Sequence, residues 1–566
     1  MNSKMRKYIF AIALASLLFA NAYAQNKDDK GYNESVIMRS SFSPVVSEAY
    51  KLGDKPSVVE SEFVLPSFSY DKTTKRFPTT MNFEKIKPAK VKGEPIAMLY
   101  NTHLKAAVGT YFSSLVDASY SQTRSKDFVY SINFKHRSSL GQIKDYANSS
   151  FANNNLNLYA KKIWSNYAAD ARLFYEHQRY YYYGFADSLN KEKKDYRTPY
   201  HSVGGSVGFT SLNRQDTKWQ SNALFEAKHT GGKWGNKETD LYLTAGLARE
   251  FSLFANSNQL IGMNVAYKQV LGKYAAEDFT PFFNPAMIYS PFDNTYGMVD
   301  IKAFMDFGVK QADIHASVSF VPTFGNSSSF YFLPTLVASS KPVADHFTFK
   351  GGLQSTIDVP TLHSLVKENP FISPIFETKA TYTTSLFARA DYANSNNIRL
   401  NLEAGYQVID NKYFYTIDKN AALGNMFTLV YDDVKRFYAE LNFDYTFNSV
   451  SIKAGAMFQN LTTDSIEAAW YTPKFKINMG IEYVAADKLA ISLIPTFSSA
   501  VKCLDPNGET QTLSSKFDLN LSASYRYSEQ MVFFVELNNL AFQRYYEYYN
   551  YPSQRFVGML GARIAF

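Results

Sequence analysis

The 566-residue sequence has one cysteine, Cys503, and therefore cannot form an internal disulfide bond. This excludes the disulfide-built scaffold that is typical of small secreted domains. Beyond one apolar stretch near the N-terminus, no run approaches the roughly 20 apolar residues that a membrane-spanning helix requires. The net charge of +8 is small for this length, so the composition gives no sign of nucleic-acid binding.

The sequence also lacks the spacings that carry catalytic or metal chemistry. Its eight histidines are scattered, and no His-x-x-x-His pair, cysteine pair, glycine-rich phosphate loop or nucleophile elbow occurs. A hydrolase site in a barrel wall would need histidines and acidic residues that converge at one rim. We therefore predict a protein that is not an enzyme, with no catalytic residues, no metal site and no cofactor.

The apolar N-terminal stretch has the pattern of a secretory signal. Residues 4–7 are rich in Lys and Arg, Ile9–Phe19 is apolar, and Ala22–Ala24 is a small-x-small cleavage site. The apolar run of about eleven residues is too short to span a bilayer as a helix. The sequence thus predicts a signal peptide at residues 1–24. The cleavage site lacks the cysteine that a lipoprotein would have there, so we do not expect a lipoprotein.

Residues 25–95 differ in character from the rest of the mature chain. They contain six prolines and many charges, with little alternation of apolar and polar residues. We expect an irregular segment that lies in the periplasm or fills the lumen of a barrel.

Long alternating stretches follow, and 16% of all residues are aromatic. Apolar and polar residues alternate regularly in Ile398–Tyr406, Phe437–Phe447, Lys474–Tyr483 and Lys516–Tyr527. Sandwich strands are typically about five or six residues long, and a solenoid would show a sequence repeat. Each apolar face here also ends in Tyr or Phe, as the aromatic girdles of a membrane barrel do. The pattern predicts an all-β, transmembrane antiparallel barrel over residues 96–566.

The last eleven residues predict the strand that closes the barrel. Phe556, Leu560, Ile564 and Phe566 fall on one face of this strand, and the chain ends there. Candidate strands number about 22, and an even number in the range 16–22 is expected for a single-chain barrel.

The polar faces of the alternating strands carry side chains of both charge signs. We expect them to line a hydrated lumen and to form charge pairs rather than a selectivity filter. The lumen-lining candidates are Arg399, Glu403, Glu440, Asp444, Lys474, Lys476, Lys516, Asp518 and Arg526.

The connections divide into two kinds. Tyr445–Ser451 and Tyr483–Leu489 are short and predict periplasmic turns, whereas Phe185–Thr198, Asp410–Asn425 and Leu461–Tyr471 predict extracellular loops. The four consecutive tyrosines Tyr180 to Tyr183 are typical of an interfacial girdle, and a carbohydrate-stacking platform is the alternative.

The C-terminal residues Glu536–Leu540, Arg544–Tyr546, Tyr551–Pro552 and Arg555–Phe556 resemble the end of TonB-dependent receptor barrels. Those receptors carry a large N-terminal plug domain, but here only about seventy mature residues precede the first predicted strand, without a plug pattern.

Further stretches narrow this resemblance. Ser47–Lys51 with Pro56, Arg124–Asp127 and Glu368–Pro374 are similar to a plugless, receptor-like outer-membrane barrel family of Bacteroidota. No functional residue carries over, because the matching positions are structural turns.

The predicted function is therefore transport across the outer membrane of a Gram-negative bacterium. We expect a passive or partner-gated, porin-like conduit; the alternative is a structural or accessory barrel subunit of an outer-membrane assembly or export complex. The expected partners are outer-membrane lipid, the barrel-assembly machinery, and periplasmic or outer-membrane proteins, but no nucleic acid.

Overall fold

The computed structural model describes residues 100–122, 125–212, 218–252, 259–275, 292–344, 346–394 and 397–566. The predicted signal peptide (1–24) and irregular segment (25–95) lie outside the described residues, as does the expected absence of a plug domain. No helix of the described residues is long and apolar enough to cross a membrane.

The fold is a closed antiparallel β-barrel of 22 strands, which confirms the predicted fold class and strand number. Each strand pairs with the next along the chain, and the last strand, β26, pairs with both β23 and β1. Closure leaves no unpaired strand edge, which a bilayer would not tolerate.

The strands of the ring are β1 Thr102–Gly109, β2 Ser113–Gln122, β3 Phe128–Ser139, β4 Phe151–Ile163, β5 Tyr167–Tyr181, β6 Arg197–Ser211, β7 Trp219–Gly232, β8 Lys237–Phe251, β9 Gln259–Tyr274, β10 Phe292–Gly308, β11 Ala312–Gly325, β12 Ser329–Ser340, β13 Phe347–Asp358, β14 Thr381–Ala393, β15 Ile398–Ile417, β16 Phe427–Phe447, β17 Val450–Thr463, β18 Phe475–Ala485, β19 Leu489–Ser498, β22 Lys516–Arg526, β23 Met531–Asn538 and β26 Val557–Ala565. Two hairpins outside the ring are β20 Val501–Leu504 with β21 Thr510–Leu513, and β24 Tyr546–Tyr548 with β25 Tyr551–Pro552. The helices of the described residues are α1, Leu362–Glu368, and the 3-10 turns Thr110–Phe112 and Asp187–Leu189.

The outer surface of the barrel is apolar because side chains alternate between its two faces. Leu402 of β15 lies opposite Leu441 of β16, and these side chains are 49% and 40% exposed. On β5, Leu173 is 60% exposed, whereas Glu176 is buried against a loop inside the bore. The apolar face thus points away from the bore, as a bilayer-facing surface requires.

The two rims of the barrel differ. At the rim that holds the C-terminus, Phe566 pairs with Thr102, and connections such as 448–449 and 486–488 are short. We call this the short-turn rim. At the opposite, long-loop rim, the connections include 182–196, 359–380 and 539–556.

The predicted extracellular loop Asp410–Asn425 is wrong over its first half. Strand β15 continues to Ile417 and pairs with β16 as far as Phe427, with a bulge between Ile409 and Lys412. These two strands continue to pair with each other beyond the apolar part of the wall, so their backbone groups are satisfied although the sequence is polar.

Candidate functional site: a loop-built cap across the bore

The connection between β13 and β14, residues 359–380, turns into the bore. It begins with α1, whose N-cap residue Thr361 forms a capping box with Ser364. Thr361 Oγ1 accepts from Ser364 N at 3.3 Å, and Ser364 Oγ accepts from Thr361 N at 2.9 Å. This reciprocal pairing satisfies two backbone donors at the helix start, so a helix of seven residues can form.

Side chains of α1 reach opposite walls of the barrel. Glu176 on β5 accepts hydrogen bonds from His363 Nε2 and Lys367 Nζ, both at 3.0 Å. At the other end of the helix, Glu368 Oε2 accepts from the hydroxyl of Tyr413 on β15, at 2.7 Å. Because β5 and β15 are the fifth and fifteenth strands of a 22-stranded ring, the helix lies across the bore.

A buried carboxyl group holds the start of α1. Glu238 on β8 is 1% exposed, and its Oε1 accepts from the backbone N–H of Leu362 at 2.6 Å. The hydroxyl of Tyr274 donates to the other oxygen at 2.5 Å. A carboxyl oxygen at this position accepts from a backbone N–H that the helix start would otherwise leave without a partner.

Three further loops of the long-loop rim meet this one. The Tyr182 hydroxyl donates to the carbonyl of Ile372 at 2.7 Å, and Asn425 Nδ2 donates to the carbonyl of Tyr182 at 2.8 Å. The Tyr551 hydroxyl donates to the carbonyl of Asn425, and the ring of Tyr551 stacks on Phe371 with centroids 3.7 Å apart. We call the four loops together, residues 182–196, 359–380, 418–426 and 539–556, the cap.

The interior of the cap is packed like the core of a soluble domain. Tyr182, Ile372 and Phe427 are fully buried, and Tyr551 is 1% exposed. The segment after α1 also pairs with the start of β16, because Ser373 N donates to the carbonyl of Phe427 at 2.7 Å. Apolar burial and satisfied backbone groups therefore both hold the cap in place across the bore.

The ring of His363 is uncharged in the cap. Its burial, together with the charges of Lys228 and Lys367, lowers the pKa of the imidazole to about 3. The neutral ring donates from Nε2 to Glu176, and its Nδ1 has no hydrogen-bond partner among the described residues.

The single cysteine lies beside the cap, in the β20–β21 hairpin. Cys503 is fully buried and packs with the partly buried Tyr471 and with Tyr546 and Tyr549 of the last cap loop. Burial raises the pKa of its thiol to about 11. The thiol is therefore protonated and shielded at neutral pH, and it can report on the integrity of the cap.

A charged cavity of about 500 Å³ lies between α1 and the inner wall formed by β7 to β13. Ion pairs line it: Lys228 lies 3.1 Å from Asp240, and Lys268 lies 3.3 Å from Asp358. The cap loop contributes Thr361 to the lining. Sequence reasoning missed this cavity because its walls come from seven strands, none of which has a distinctive motif.

The structure brings some of the predicted lumen residues into contact with the cap. Lys516 Nζ lies 2.7 Å from Glu547, and Asp518 lies 3.5 Å from the Tyr545 hydroxyl, both in the last cap loop.

Other lumen candidates lie within paired strands of the barrel wall. Arg399 is directly opposite Asp444, Glu403 is opposite Glu440, and Lys476 is opposite Met457. These pairs share the strand faces opposite to the exposed Leu402 and Leu441.

The remaining two lie at the ends of strands. Lys474 precedes β18, and Arg526 ends β22 at the short-turn rim. The nine residues do not form one cluster, and a shared role in lining the lumen stays a prediction.

Both interpretations of the consecutive tyrosines are wrong for Tyr182. This side chain is fully buried in the cap, beside the 8%-exposed Tyr181, so it is neither an interfacial girdle residue nor a stacking platform. Tyr180 is half-buried: its hydroxyl accepts from Asn153 Nδ2 at 2.8 Å, and its ring contacts Phe371 edge-on. It does not offer an open face for stacking either. The run of aromatic residues in the sequence indicates burial, but it does not identify the other loops against which these residues pack.

Histidines that are scattered in sequence are partly brought together by the sheet. His136, His177 and His201 lie in one row on neighbouring strands, and the rings of His177 and His201 stack at 4.6 Å. No group of three potential ligands among the described residues could hold a metal ion.

The comparisons with known proteins concern the fold alone. No family model matches the sequence, and no curated protein matches it. Among solved structures, the siderophore receptor PirA from Acinetobacter baumannii aligns at a TM-score of 0.63 with 11% identity over 83% of this chain and 81% of that one.

Two further receptors align similarly. The FrpB iron transporter from Neisseria meningitidis gives a TM-score of 0.62 with 11% identity over 83% and 82% of the two chains. The pyoverdine outer membrane receptor FpvA from Pseudomonas aeruginosa PAO1 gives 0.61 with 12% identity over 83% and 79%. The chain is thus similar in fold to the barrels of these three proteins.

Proposed function

We propose that this protein is an outer-membrane transport barrel that resembles TonB-dependent receptors and works as a gated conduit, with the cap as its gate. The observation that carries the proposal is the packing of Tyr182, Phe371 and Tyr551 at the long-loop rim. These residues come from three different loops, so their contacts hold the loops together at the mouth of the bore.

Outer-membrane placement rests on three features. The sequence has the pattern of a signal peptide, the outer face of the barrel is apolar, and the structural neighbours include an outer membrane receptor and an iron transporter. In this orientation the long-loop rim, and with it the cap, faces the cell exterior.

The packing of the cap favours a gated conduit over a passive one. Opening requires the loss of the Tyr182 and Tyr551 hydrogen bonds and the exposure of Phe371 and Phe427 to water. A ligand or partner protein that binds the open loops more tightly than the closed ones would supply the free energy for this change.

Planar-bilayer recording of the purified protein tests the proposal. The full chain, a variant that lacks residues 26–95, and a variant with residues 362–376 replaced by a short Gly/Ser linker are compared. We expect rare openings from the full chain and sustained conductance once the loop is replaced. If none of these three proteins conducts, and a fourth with both changes does not conduct either, the conduit is rejected.

A barrel that never opens would instead suit a structural subunit of an outer-membrane assembly or export complex, and the complete burial of Tyr182, Ile372 and Phe427 is the observation in favour of it. Isolation in mild detergent separates these functions. A barrel that runs alone and conducts after loop replacement supports the conduit, whereas a stoichiometric partner together with a silent barrel supports the subunit.

A further inference from the structure

The outer surface of the barrel carries basic side chains close to the long-loop rim. Their orientation follows from β5, where Glu176 and Tyr180 contact cap residues inside the bore. Because side chains alternate along a strand, His177 and Arg179 point outward, on the same face as the 60%-exposed Leu173. The outer face of β5 is therefore apolar in the middle of the strand and polar near its end at the long-loop rim.

Neighbouring strands continue this polar row. His136, Asn154, His177 and His201 lie directly opposite one another on β3, β4, β5 and β6. Nδ1 of His136 is 2.7 Å from Asn154 Oδ1, and Asn154 Nδ2 is 3.1 Å from Nδ1 of His177. Side-chain hydrogen bonds thus link the row across strands that the ladder already holds in register.

The row extends sideways with two lysines on the same outer face. His201 lies opposite Gly231, which lies opposite Lys237, which in turn lies opposite Lys273 on β9. The basic band, as we define it, comprises His136, His177, Arg179, Arg197, His201, His229, Lys237 and Lys273.

Among the described residues, Lys273 is the one arginine or lysine of the band that lies directly opposite an acidic residue, Asp293 on β10. In the part of the chain that the structure describes, none of the eight takes part in an ion pair, and Nε of Arg179 is buried without a hydrogen-bond partner. By contrast, inward-facing Lys228 on β7 pairs with Asp240 at 3.1 Å. The arginines and lysines of the band therefore present positive charge to whatever surrounds the barrel, and the histidines add polar groups between them.

The height of the band identifies that surrounding. Below it, towards the short-turn rim, the same outer face exposes Leu173, Val207 and Phe225. Just beyond the band, on β11 and β12, the corresponding rim positions include the exposed Phe324 and Phe330 instead. The band thus lies where apolar surface meets the loops, at the level of lipid headgroups, and it covers one side of the barrel.

We propose that the basic band binds the phosphate groups of phosphorylated lipid headgroups in the outer leaflet. Two arginines near His177 supply planar, bidentate donors that match phosphate oxygens, and the lysines add point charges. This inference rests on the outer-membrane placement proposed above, but not on transport through the bore.

Native mass spectrometry of the full-length barrel in detergent tests the proposal, with bisphosphorylated lipid A as the probe and chemically dephosphorylated lipid A as the comparison. The test variant is Arg179→Gln/Arg197→Gln. The control is Lys435→Gln, which removes an outward charge from β16 on the far side, where Lys435 is paired with Asp464 at 4.0 Å. Heat-modifiable migration shows that each variant remains folded.

We expect the protein and its control to retain phosphorylated lipid A, and the double variant to bind it about 30-fold more weakly, about fivefold for each charge removed. Equal binding by the double variant, or equal binding of dephosphorylated lipid A, would overturn the proposal. The proposal would also be overturned if the double variant lost a co-purifying protein but bound the lipid as before, because the band would then bind a protein. Fractionation of cells is done first, since absence from the outer membrane defeats the proposed function, whereas an outer-membrane barrel without phosphate preference defeats only this inference.

Discussion

Truncation of one aromatic ring should open the cap without disturbing the barrel. Phe371 is 8% exposed, stacks on Tyr551 at 3.7 Å and meets the ring of Tyr183 at a right angle at 5.6 Å. It touches no strand-to-strand hydrogen bond of the wall. The variant Phe371→Ala therefore removes packing at the point where three loops join.

The size of the effect follows from the loss of a buried ring. Replacing a buried Phe by Ala destabilises a packed core by about 3–5 kcal/mol. If only the lower value acts on the closed cap, the ratio of open to closed molecules rises by about two orders of magnitude, because each 1.4 kcal/mol is about tenfold.

Single-channel recording measures this ratio as open probability. Phe371→Ala should open about a hundred times more often than the unmodified protein, at the same unit conductance, because the wall of the bore is unchanged. Phe330→Ala is the matched control, since Phe330 is 64% exposed on the outer surface and its ring contacts Phe320 of β11.

Two results would refute this reasoning. If Phe371→Ala folds but opens no more often than Phe330→Ala, the contact with Tyr551 does not close the bore. If the unmodified protein already conducts continuously, the cap is not a barrier. The same recordings with residues 26–95 deleted measure any contribution of that segment separately.

Three further predictions concern other parts of the molecule. Burial raises the pKa of Cys503 to about 11, so maleimide should label it far more slowly at pH 8 than it labels a free cysteine, as measured by mass spectrometry. Labelling should accelerate in Phe371→Ala. Rapid labelling of the unmodified protein would contradict the packed hairpin. The pKa of His363 is lowered from 6.5 to about 3, so the closed cap is fully stable above pH 6.5 and loses stability progressively as the pH falls towards 3, by about 2 kcal/mol at pH 5. Open probability should therefore rise between pH 7 and pH 5, and this rise should vanish in His363→Gln. Finally, Leu560→Lys places a charge on the 63%-exposed outer face of β26, which costs about 2–4 kcal/mol near the bilayer midplane, so the heat-modifiable fraction should fall; an unchanged fraction would argue against lipid contact there.

The barrel was predictable from the sequence because each strand carries its own signal. Period-two alternation, as in Lys516–Tyr527, depends only on neighbouring residues, and β22 begins at Lys516 and ends at Arg526. Turn positions were also local, since the connections 448–449 and 486–488 fall inside the predicted turns. A stretch of about ten residues contains the whole pattern that a membrane-spanning strand requires.

The cap could not be predicted in the same way because its contacts join distant parts of the chain. Tyr182 and Ile372 are 190 residues apart, and Tyr551 and Asn425 are 126 apart. Their partners are decided by which loops meet at the rim, and that depends on the order and tilt of all 22 strands. The sequence of Glu368–Pro374 shows only a family resemblance, although this stretch ends α1 and supplies Phe371.

The histidine row was missed for a related reason. His136 and His177 are 41 positions apart by their numbers, yet only Asn154 separates them across the sheet. Spacing rules for metal or catalytic histidines search within one helix or loop, so they do not detect neighbours that arise from cross-strand register.

Uptake of small sugars by liposomes tests most directly the claim that the cap closes the bore. Liposomes that contain the full-length barrel are compared with liposomes that contain the variant in which residues 362–376 are replaced by a short Gly/Ser linker. The account predicts slow swelling with the full-length protein and rapid swelling with the variant. Equal swelling rates, with both proteins folded and inserted to the same extent, would contradict it.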